Sequence, residues 1–216
     1  MRFETELGPL DARLGRLVVA GWTGRDEAAV RHHIDELAAL GVPAPSKIPL
    51  FYAASPALLT PATELDALGA ETSGEAEPLI VRAGGKTWIG LASDHTDRGL
   101  EAHSVAHSKQ ICPKPAAETL WPLDSVADPD ALTLRSWIDE CAGWTLYQSG
   151  ALAEIRSLDE LIAGAGLGED EAMLCGTLPA IGGVRPAARF RMALGDPATG
   201  REISAVYTVR SLPVVK

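Results

Sequence analysis

The stretch that decides the fold is GEAEPLIVRAGGKTWIGLASDHTDRGLE, residues 74–101. Apolar runs at residues 79–83 and 86–91 flank Gly84 and Gly85, and two glycines between such runs predict a two-residue hairpin turn with positive φ. Glu75 and Glu77 enter the first run and share one face if the backbone there is extended. With Asp94, which follows the second run, they bring three carboxylates into one short stretch.

These carboxylates have two interpretations on the residues alone. Hard divalent cations of the magnesium type prefer oxygen ligands, and one or two carboxylates with retained waters are the usual protein contribution. A Glu-x-Glu pair on a strand, with an Asp on a later segment, can supply such a set. A pair of acidic residues entering a strand is, however, more often solvated surface. The spacing itself leaves both interpretations open.

Composition narrows the class of protein. The chain has 216 residues, of which 46% are hydrophobic, and this fits one mainly β domain with a sizeable core. The net charge of −10 excludes a basic field that would attract nucleic acid or an anionic membrane surface. Three cysteines without C-x-x-C spacing argue against a disulfide scaffold or a zinc site. Without a signal segment or a long apolar run, the sequence predicts a cytoplasmic protein.

A helix is predicted over residues 26–40, after a β-branched strand at residues 16–22. His33 lies on the apolar side of this helix, and His32 points nearly the opposite way. Glu36 borders the same apolar side, one turn from His33. A histidine on an apolar face is more often a core residue than a catalyst, so the pattern alone does not assign His33 a function.

The remaining histidines fall in or near the deciding stretch. His103 and His107 are four residues apart, a spacing that can bind metal on a helix, but no H-E-x-x-H pattern accompanies them. They are interpreted as surface residues. His95 follows Asp94 directly and is a candidate to position that carboxylate without binding the metal itself.

Taken together, these motifs resemble the fumarylacetoacetate hydrolase family. EAEPLIV, residues 75–81, is similar to the family's E-x-E-L-A-V-V strand, and SDHTDRGLE, residues 93–101, is similar to its N-D-x-S-A-R-D-x-Q segment. The similarity continues in the same order over roughly residues 15–210. Several weak motifs kept in one order are more specific than any one of them.

The resemblance implies a site. The family's Mg²⁺ or Mn²⁺ ligands correspond to Glu75, Glu77 and Asp94, and its arginine and glutamine positions correspond to Arg98 and Glu101. Its lysine corresponds to Lys109 in SKQICP. HIDELAALGVPAP, residues 33–45, is similar to the family's H-x-x-E-L-G-x-x-x-P segment, which implies a dyad of His33 and Glu36 that activates water. MLCGTLPAIG, residues 173–182, is similar to I-L-T-G-T-P-A-G-V-G and implies that Thr177 contacts substrate.

The chain also departs from the family pattern. Residues 21–31 do not reproduce its N-Y pair, and alanines stand near the place of a second lysine, at Ala53 and Ala54. Only sixteen residues separate Glu77 from Asp94, so the helix that usually joins these segments is expected to be missing.

The resulting expectations are as follows. The fold is α+β and mainly β, a roll with a few short helices around a metal cleft, in a single domain of residues 1–216. Residues 1–46 form a strand and helix segment that could serve as a lid. The chain is expected to form a homodimer. Its function is that of a metal-dependent hydrolase or lyase on a small oxo acid, of the acylpyruvate or 1,3-dicarbonyl type, with the enolate stabilised by Mg²⁺ or Mn²⁺. Carbon–carbon hydrolysis or decarboxylation is the expected reaction. The alternatives are a tautomerase on the same scaffold and a non-catalytic protein that binds a metabolite or a partner.

Overall fold

A computed structural model describes residues 1–39, 44–140 and 143–215, without the side chains of His33, Glu36, Leu37 and Ala39. The described residues form seventeen strands and four α-helices. The strands are β1 (Arg2–Thr5), β2 (Leu10–Asp11), β3 (Arg16–Gly21), β4 (Leu50–Ala54), β5 (Leu59–Thr60), β6 (Glu64–Leu68), β7 (Thr72–Ser73), β8 (Ala76–Ala83), β9 (Lys86–Ser93), β10 (Thr96–Asp97), β11 (Lys114–Pro115), β12 (Thr119–Pro122), β13 (Thr133–Asp139), β14 (Trp144–Ala151), β15 (Glu171–Leu174), β16 (Arg189–Asp196) and β17 (Arg201–Leu212). The helices are α1 (Glu27–Ala39), α2 (Arg98–Glu101), α3 (Val105–Ile111) and α4 (Leu158–Ala165).

The larger sheet has eight strands in the order β2-β1-β12-β9-β8-β15-β3-β4. Its centre is the antiparallel β8–β9 hairpin, whose turn residues Gly84 and Gly85 have φ of 63° and 71°. The hairpin and the positive φ predicted from sequence are therefore confirmed. The hairpin also replaces the helix that the family pattern would place between Glu77 and Asp94, as expected from the short spacing.

The smaller sheet has five strands in the order β14-β13-β16-β17-β6 and packs on the larger one. Its inward residues Leu134, Met192 and Leu194 share one buried apolar cluster with Ile80 and Leu91 of the β8–β9 hairpin. Alternating burial along β13 fits a strand that faces the core on one side only. Two packed sheets with four helices confirm the predicted α+β, mainly β fold.

The N-terminal segment belongs in part to the larger sheet. Strand β3 lies between β15, to which it is parallel, and β4, to which it is antiparallel. Helix α1 follows β3, in agreement with the predicted helix, and the Asp26 carboxylate caps it by accepting from the amides of Ala28 and Ala29. Ile34 is buried at 9% exposure. Residue 40, the last of the predicted helix, lies outside the described residues.

The later elements also begin and end at local signals in the sequence. The Ser157 hydroxyl accepts from the Glu160 amide at the start of α4, and Gly166 ends that helix with φ of 55°. Strands β16 and β17 flank the turn in GDPATG. Within the described part of the chain, no helix has the length and apolar character needed to cross a membrane.

Candidate functional site

The site is built at the open end of the β8–β9 hairpin. Ala76 pairs with Ser93 in the sheet, so Glu75 and Asp94 stand opposite each other one residue further out. The Asp94 amide donates to the Glu75 carbonyl at 2.9 Å. Glu77 lies within β8 at 3% exposure, and Asp94 is at 1%. The hairpin therefore brings the three predicted carboxylates to one edge of the larger sheet.

Two lysines hold the Asp94 carboxylate. Lys109 Nζ, from α3, lies 2.5 Å from Asp94 Oδ2, and Lys114 Nζ, from β11, lies 3.0 Å from Oδ1. Lys114 Nζ also donates to the His95 carbonyl at 2.6 Å. Burial opposes ionisation of Asp94, but the two ammonium groups outweigh it and keep the pKa of Asp94 below its usual range. Asp94 is therefore an anion at neutral pH.

Arg98 links the other acidic residues of the site. Its Nη2 donates to Glu75 Oε2 at 2.8 Å, its Nη1 to Glu101 Oε2 at 2.7 Å and its Nε to Ser73 Oγ at 2.7 Å. Lys109 Nζ lies 3.4 Å from Glu101 Oε1. The result is a chain of alternating charges, which we call the charge cluster. The cluster has seven members, namely Glu75, Glu77, Asp94, Arg98, Glu101, Lys109 and Lys114.

Glu77 differs electrostatically from its neighbours. Its Oε2 accepts from the Gly176 amide at 2.8 Å. Burial, followed by repulsion from Asp94, raises the pKa of Glu77 well above its usual range, and the positive charge of Lys109 offsets only part of this. Glu75 adds to the repulsion. The charge cluster thus holds four carboxyl groups against three cations, and the raised pKa of Glu77 reflects this imbalance.

Thr177 lies beside Glu77 but makes its hydrogen bonds within the protein. Its hydroxyl donates to the Ala76 carbonyl at 2.8 Å and accepts from Gln148 Nε2 at 2.5 Å. Gln148 Oε1 in turn accepts from the Ala76 amide at 2.8 Å and from the Ser136 hydroxyl at 2.6 Å. This network fixes the start of β8, and with it the position of Glu77.

His95 is fully buried behind Asp94. Its ring nitrogens lie 3.0 Å from Thr72 Oγ1 and 3.2 Å from Tyr207 Oη, and the Tyr207 hydroxyl also bonds the Ser93 hydroxyl at 2.9 Å. Burial, reinforced by the charges of Lys114 and Arg98, lowers the pKa of His95 to about 3. The ring is therefore neutral and ties the hairpin to β17 of the smaller sheet. His107 is exposed on α3, where its Nδ1 bonds the Ser104 hydroxyl at 2.7 Å.

For the predicted dyad, only the position of its helix, α1, is known. Because β3 and β15 are parallel, α1 leaves the sheet at the edge where Gly176 follows β15 and where β8 begins. The Thr23 side chain, just before α1, lies against Gly176. The side chains of His33 and Glu36 lie outside the described residues, so the dyad stays a prediction.

Three polar residues of this site received no role from sequence reasoning: Lys114, Gln148 and Tyr207. Lys114 carried a weak signal, since a lysine between two prolines in an otherwise apolar segment, CPKPAA, is unusual for solvated surface. Its burial depends on the pairing of β11 with β5, which no local pattern indicates.

The site has the types of ligand atom that a divalent cation prefers, but they are not arranged around one point. Among the described side chains, no three His, Cys, Asp or Glu residues are arranged as a ligand group, because Glu75 is turned to Arg98. Asp94 Oδ1, however, is buried and receives no well-aligned hydrogen bond from any described group, in spite of its contact with Lys114. An incompletely satisfied carboxylate oxygen and one carboxylate in excess fit a hard cation. Glu75 would bind the metal only after its carboxylate breaks the hydrogen bond with Arg98.

A surface cavity of about 570 Å³ lies elsewhere, lined by residues that include Gly85, Lys86 and Asp128. Gly85 and Lys86 mark the turn end of the hairpin, a full strand length from Glu77 and Asp94. The cavity therefore does not belong to the charge cluster.

Solved structures identify the fold. A maleylpyruvate hydrolase from Sphingobium sp. SYK-6 is 17% identical, with a TM-score of 0.64 over 92% of this chain and 72% of that one. A 5-carboxymethyl-2-hydroxymuconate delta-isomerase from Mycobacterium smegmatis is 14% identical, with a TM-score of 0.62 over 93% and 78%. A 2-keto-3-deoxyarabinonate dehydratase is 15% identical, with a TM-score of 0.63 over 94% and 75%. These have the fumarylacetoacetate hydrolase fold, which confirms the resemblance seen in the sequence motifs.

Within that fold, the chain belongs to the family described as "Protein of unknown function (DUF2848)", whose model matches residues 20–207. No curated protein matches the chain in sequence.

Proposed function

We propose that this protein is a metal-dependent enzyme that cleaves or decarboxylates a small oxo acid of the acylpyruvate or 1,3-dicarbonyl type. The observation that carries the proposal is the buried charge cluster at the open end of the hairpin, with one carboxylate more than its cations can balance. The solved structures of the same fold support the substrate class, since their names denote enzymes of keto acids and of related compounds.

Asp94, Glu77 and Glu75 would hold Mg²⁺ or Mn²⁺, with waters completing its coordination. When bound, such a cation polarises the carbonyl of a chelated oxo acid and stabilises the negative charge that develops on its oxygen. The chain's own part is to fix the ligands. Lys114 holds Asp94 from the buried side, and the amide of Gly176 orients Glu77.

The other predicted residues act around that centre. Lys109 and Arg98 contribute positive charge close to the reacting oxygens, which favours a developing anion. Thr177 fixes the first residue of β8 through its bond to the Ala76 carbonyl. His33 would take a proton from water while Glu36 holds its ring, and α1 would bring both over the site as a lid.

Two alternatives share this scaffold. Without a placed water, the same stabilisation of an enolate serves a tautomerase. A non-catalytic protein that binds a metabolite or a partner would need no divalent cation at the charge cluster, so metal binding separates it from the enzymes.

The deciding experiment is a calorimetric titration of the protein with Mn²⁺ and with Mg²⁺. We expect one site per chain in the wild type and loss of that site in Glu77→Ala. Glu64→Ala, which removes an exposed carboxylate, serves as the matched control and should bind like the wild type. Equal isotherms for the wild type and Glu77→Ala would reject the metal site.

The dyad has its own test in the turnover of acylpyruvates by the metal-loaded protein. His33→Gln should lower the rate by a factor of about 10² to 10⁴, the usual contribution of a general base, with metal affinity unchanged. His32→Gln, on the neighbouring exposed position, should leave the rate close to that of the wild type. Equal losses in the two variants, or unfolding of His33→Gln, would return His33 to a core role.

A further inference from the structure

Glu101 occupies the solvent side of the charge cluster. It is the last residue of α2, and its side chain is 26% exposed, compared with 14% for Glu75 and 2% for Asp94. Burial opposes ionisation of Glu101, but Lys109 and Arg98 outweigh it and lower the pKa of this carboxyl. A carboxylate therefore stands on the side from which a ligand reaches Asp94 and Glu75.

The cations of the cluster are already engaged. Each of the three nitrogens of Arg98 donates to an acceptor, in Glu75, Glu101 and Ser73. The three N–H groups of Lys109 are matched by Asp94 Oδ2, Glu101 Oε1 and Thr96 Oγ1. Lys114 is fully buried between Asp94 and the His95 carbonyl.

Charge balance then limits the ligand. Four carboxylates and three cations leave one excess negative charge, which a divalent cation would turn into one excess positive charge. One carboxylate on the ligand restores neutrality. A second carboxylate would have to lie near Glu101, where like charges repel and where Glu101 already occupies Nη1 of Arg98 and Nζ of Lys109.

We propose that Glu101 restricts this site to oxo acids with a single carboxylate and rejects dicarboxylic oxo acids of the same length. This inference rests on the proposed function, because it concerns the acid that the metal-loaded site chelates. Glu101 acts as a specificity residue: its carboxylate occupies the Arg98 and Lys109 donors that a second ligand carboxylate would use.

The probes are 2-oxopentanoate and 2-oxoglutarate, which have the same chain length and differ in whether the far end is a methyl group or a carboxylate. Their affinities are measured by calorimetry on the Mn²⁺-loaded protein. We expect the wild type to bind 2-oxopentanoate at least about tenfold more tightly than 2-oxoglutarate. Glu101→Gln should tighten 2-oxoglutarate binding about tenfold or more and change 2-oxopentanoate binding little. Glu118→Gln, at an exposed site, should keep the wild-type ratio.

The outcomes separate the inference from the proposed function. Tighter binding of 2-oxoglutarate by the wild type, or an unchanged ratio in a folded Glu101→Gln, would overturn the role of Glu101 and leave the metal enzyme standing. Binding of Mn²⁺ with no binding of either acid would overturn the proposed substrate class and the inference with it. If Glu101→Gln does not fold, the wild-type ratio alone decides, and a ratio near one rejects the inference.

Discussion

At the scale of single residues, Lys114 shows how the site depends on a buried charge pair. Its side chain is inaccessible to solvent and has two oxygen partners, Asp94 Oδ1 and the His95 carbonyl. We expect Lys114→Met to lower the free energy of unfolding by about 3–5 kcal/mol, because it leaves a buried carboxylate with one cation fewer. Urea unfolding of the metal-free protein at neutral pH measures this.

The matched control for this change is Lys86→Met, at an exposed position beside the hairpin turn. It removes the same charge from the surface and should change stability by no more than about 0.5 kcal/mol. Comparable losses in the two variants would show that the Lys114 pair contributes nothing beyond a surface charge.

His95 gives the protein a predictable response to acid. Its pKa is about 3 in the folded chain against an ordinary value of 6.5, so below about pH 6.5 the unfolded chain binds a proton that the folded chain does not. Stability present above that pH is therefore lost as the pH falls towards 3. Relative to His95→Asn, we expect the wild type to lose up to about 1.4 kcal/mol per pH unit between pH 6 and pH 4.

The comparison uses denaturant unfolding of both proteins at each pH, so that the other titrating groups cancel in the difference. A difference in stability that stays constant from pH 7 to pH 4 would mean that His95 is not held neutral in the folded protein.

At the scale of elements, Gly74, just before β8, packs tightly against β17. A Cβ on Gly74 would overlap the Tyr207 hydroxyl and crowd the Ser93 hydroxyl. We expect Gly74→Ala to displace Tyr207 from Ser93 and His95 and to destabilise the protein by about 1–3 kcal/mol, the usual cost of overpacking. Thermal or urea unfolding measures the loss.

Gly15→Ala is the control, because a Cβ there meets only the Asp170 carbonyl, at an ordinary 3.8 Å. That variant should be neutral or slightly stabilised, since alanine restricts the unfolded chain. If Gly74→Ala were equally neutral, the close contact between β17 and the hairpin would not exist in solution.

Elements were predictable wherever their signals are local. Gly84 and Gly85 predicted the β8–β9 hairpin, and the spacing of Glu75, Glu77 and Asp94 predicted that these carboxylates lie together. Pairings between distant segments carry no such signal, as in β11 with β5 and β17 with β6. Lys114 reaches Asp94 from β11, and Tyr207 reaches Ser93 and His95 from β17, so no local pattern could assign either residue a role.

At the scale of the whole molecule, we propose that the outer face of the smaller sheet mediates homodimerisation. Leu146 pairs across to Trp137, Trp137 to Arg191, and Arg191 to Val206, so all four point to the same side. Leu146 and Val206 are exposed at 39% and 41%, and Trp144 on this face at 37%. A face that mixes apolar side chains with arginines and acids can match a second copy of itself across a two-fold axis.

Light scattering at micromolar concentration tests the dimer. We expect the mass of two chains for the wild type and of one chain for Leu146→Glu, which places a charge in the centre of the face. Leu7→Glu, at a residue that is 65% exposed in a turn outside this sheet, should remain dimeric. A wild-type protein that is a stable monomer would contradict the proposal.

The short turn of the β8–β9 hairpin has a consequence for the order of folding. A two-residue loop closes in microseconds, so the two strands can meet before more distant segments arrive. Closure sets Glu75 directly opposite Asp94, with Glu77 close by, while Lys109 and Lys114 still belong to unfolded chain downstream. We therefore expect repulsion at the open end to delay completion of the hairpin until residues 98–114 fold onto it. Mild acid, which protonates these carboxylates in the unfolded chain, should speed this early step even as it weakens the finished structure.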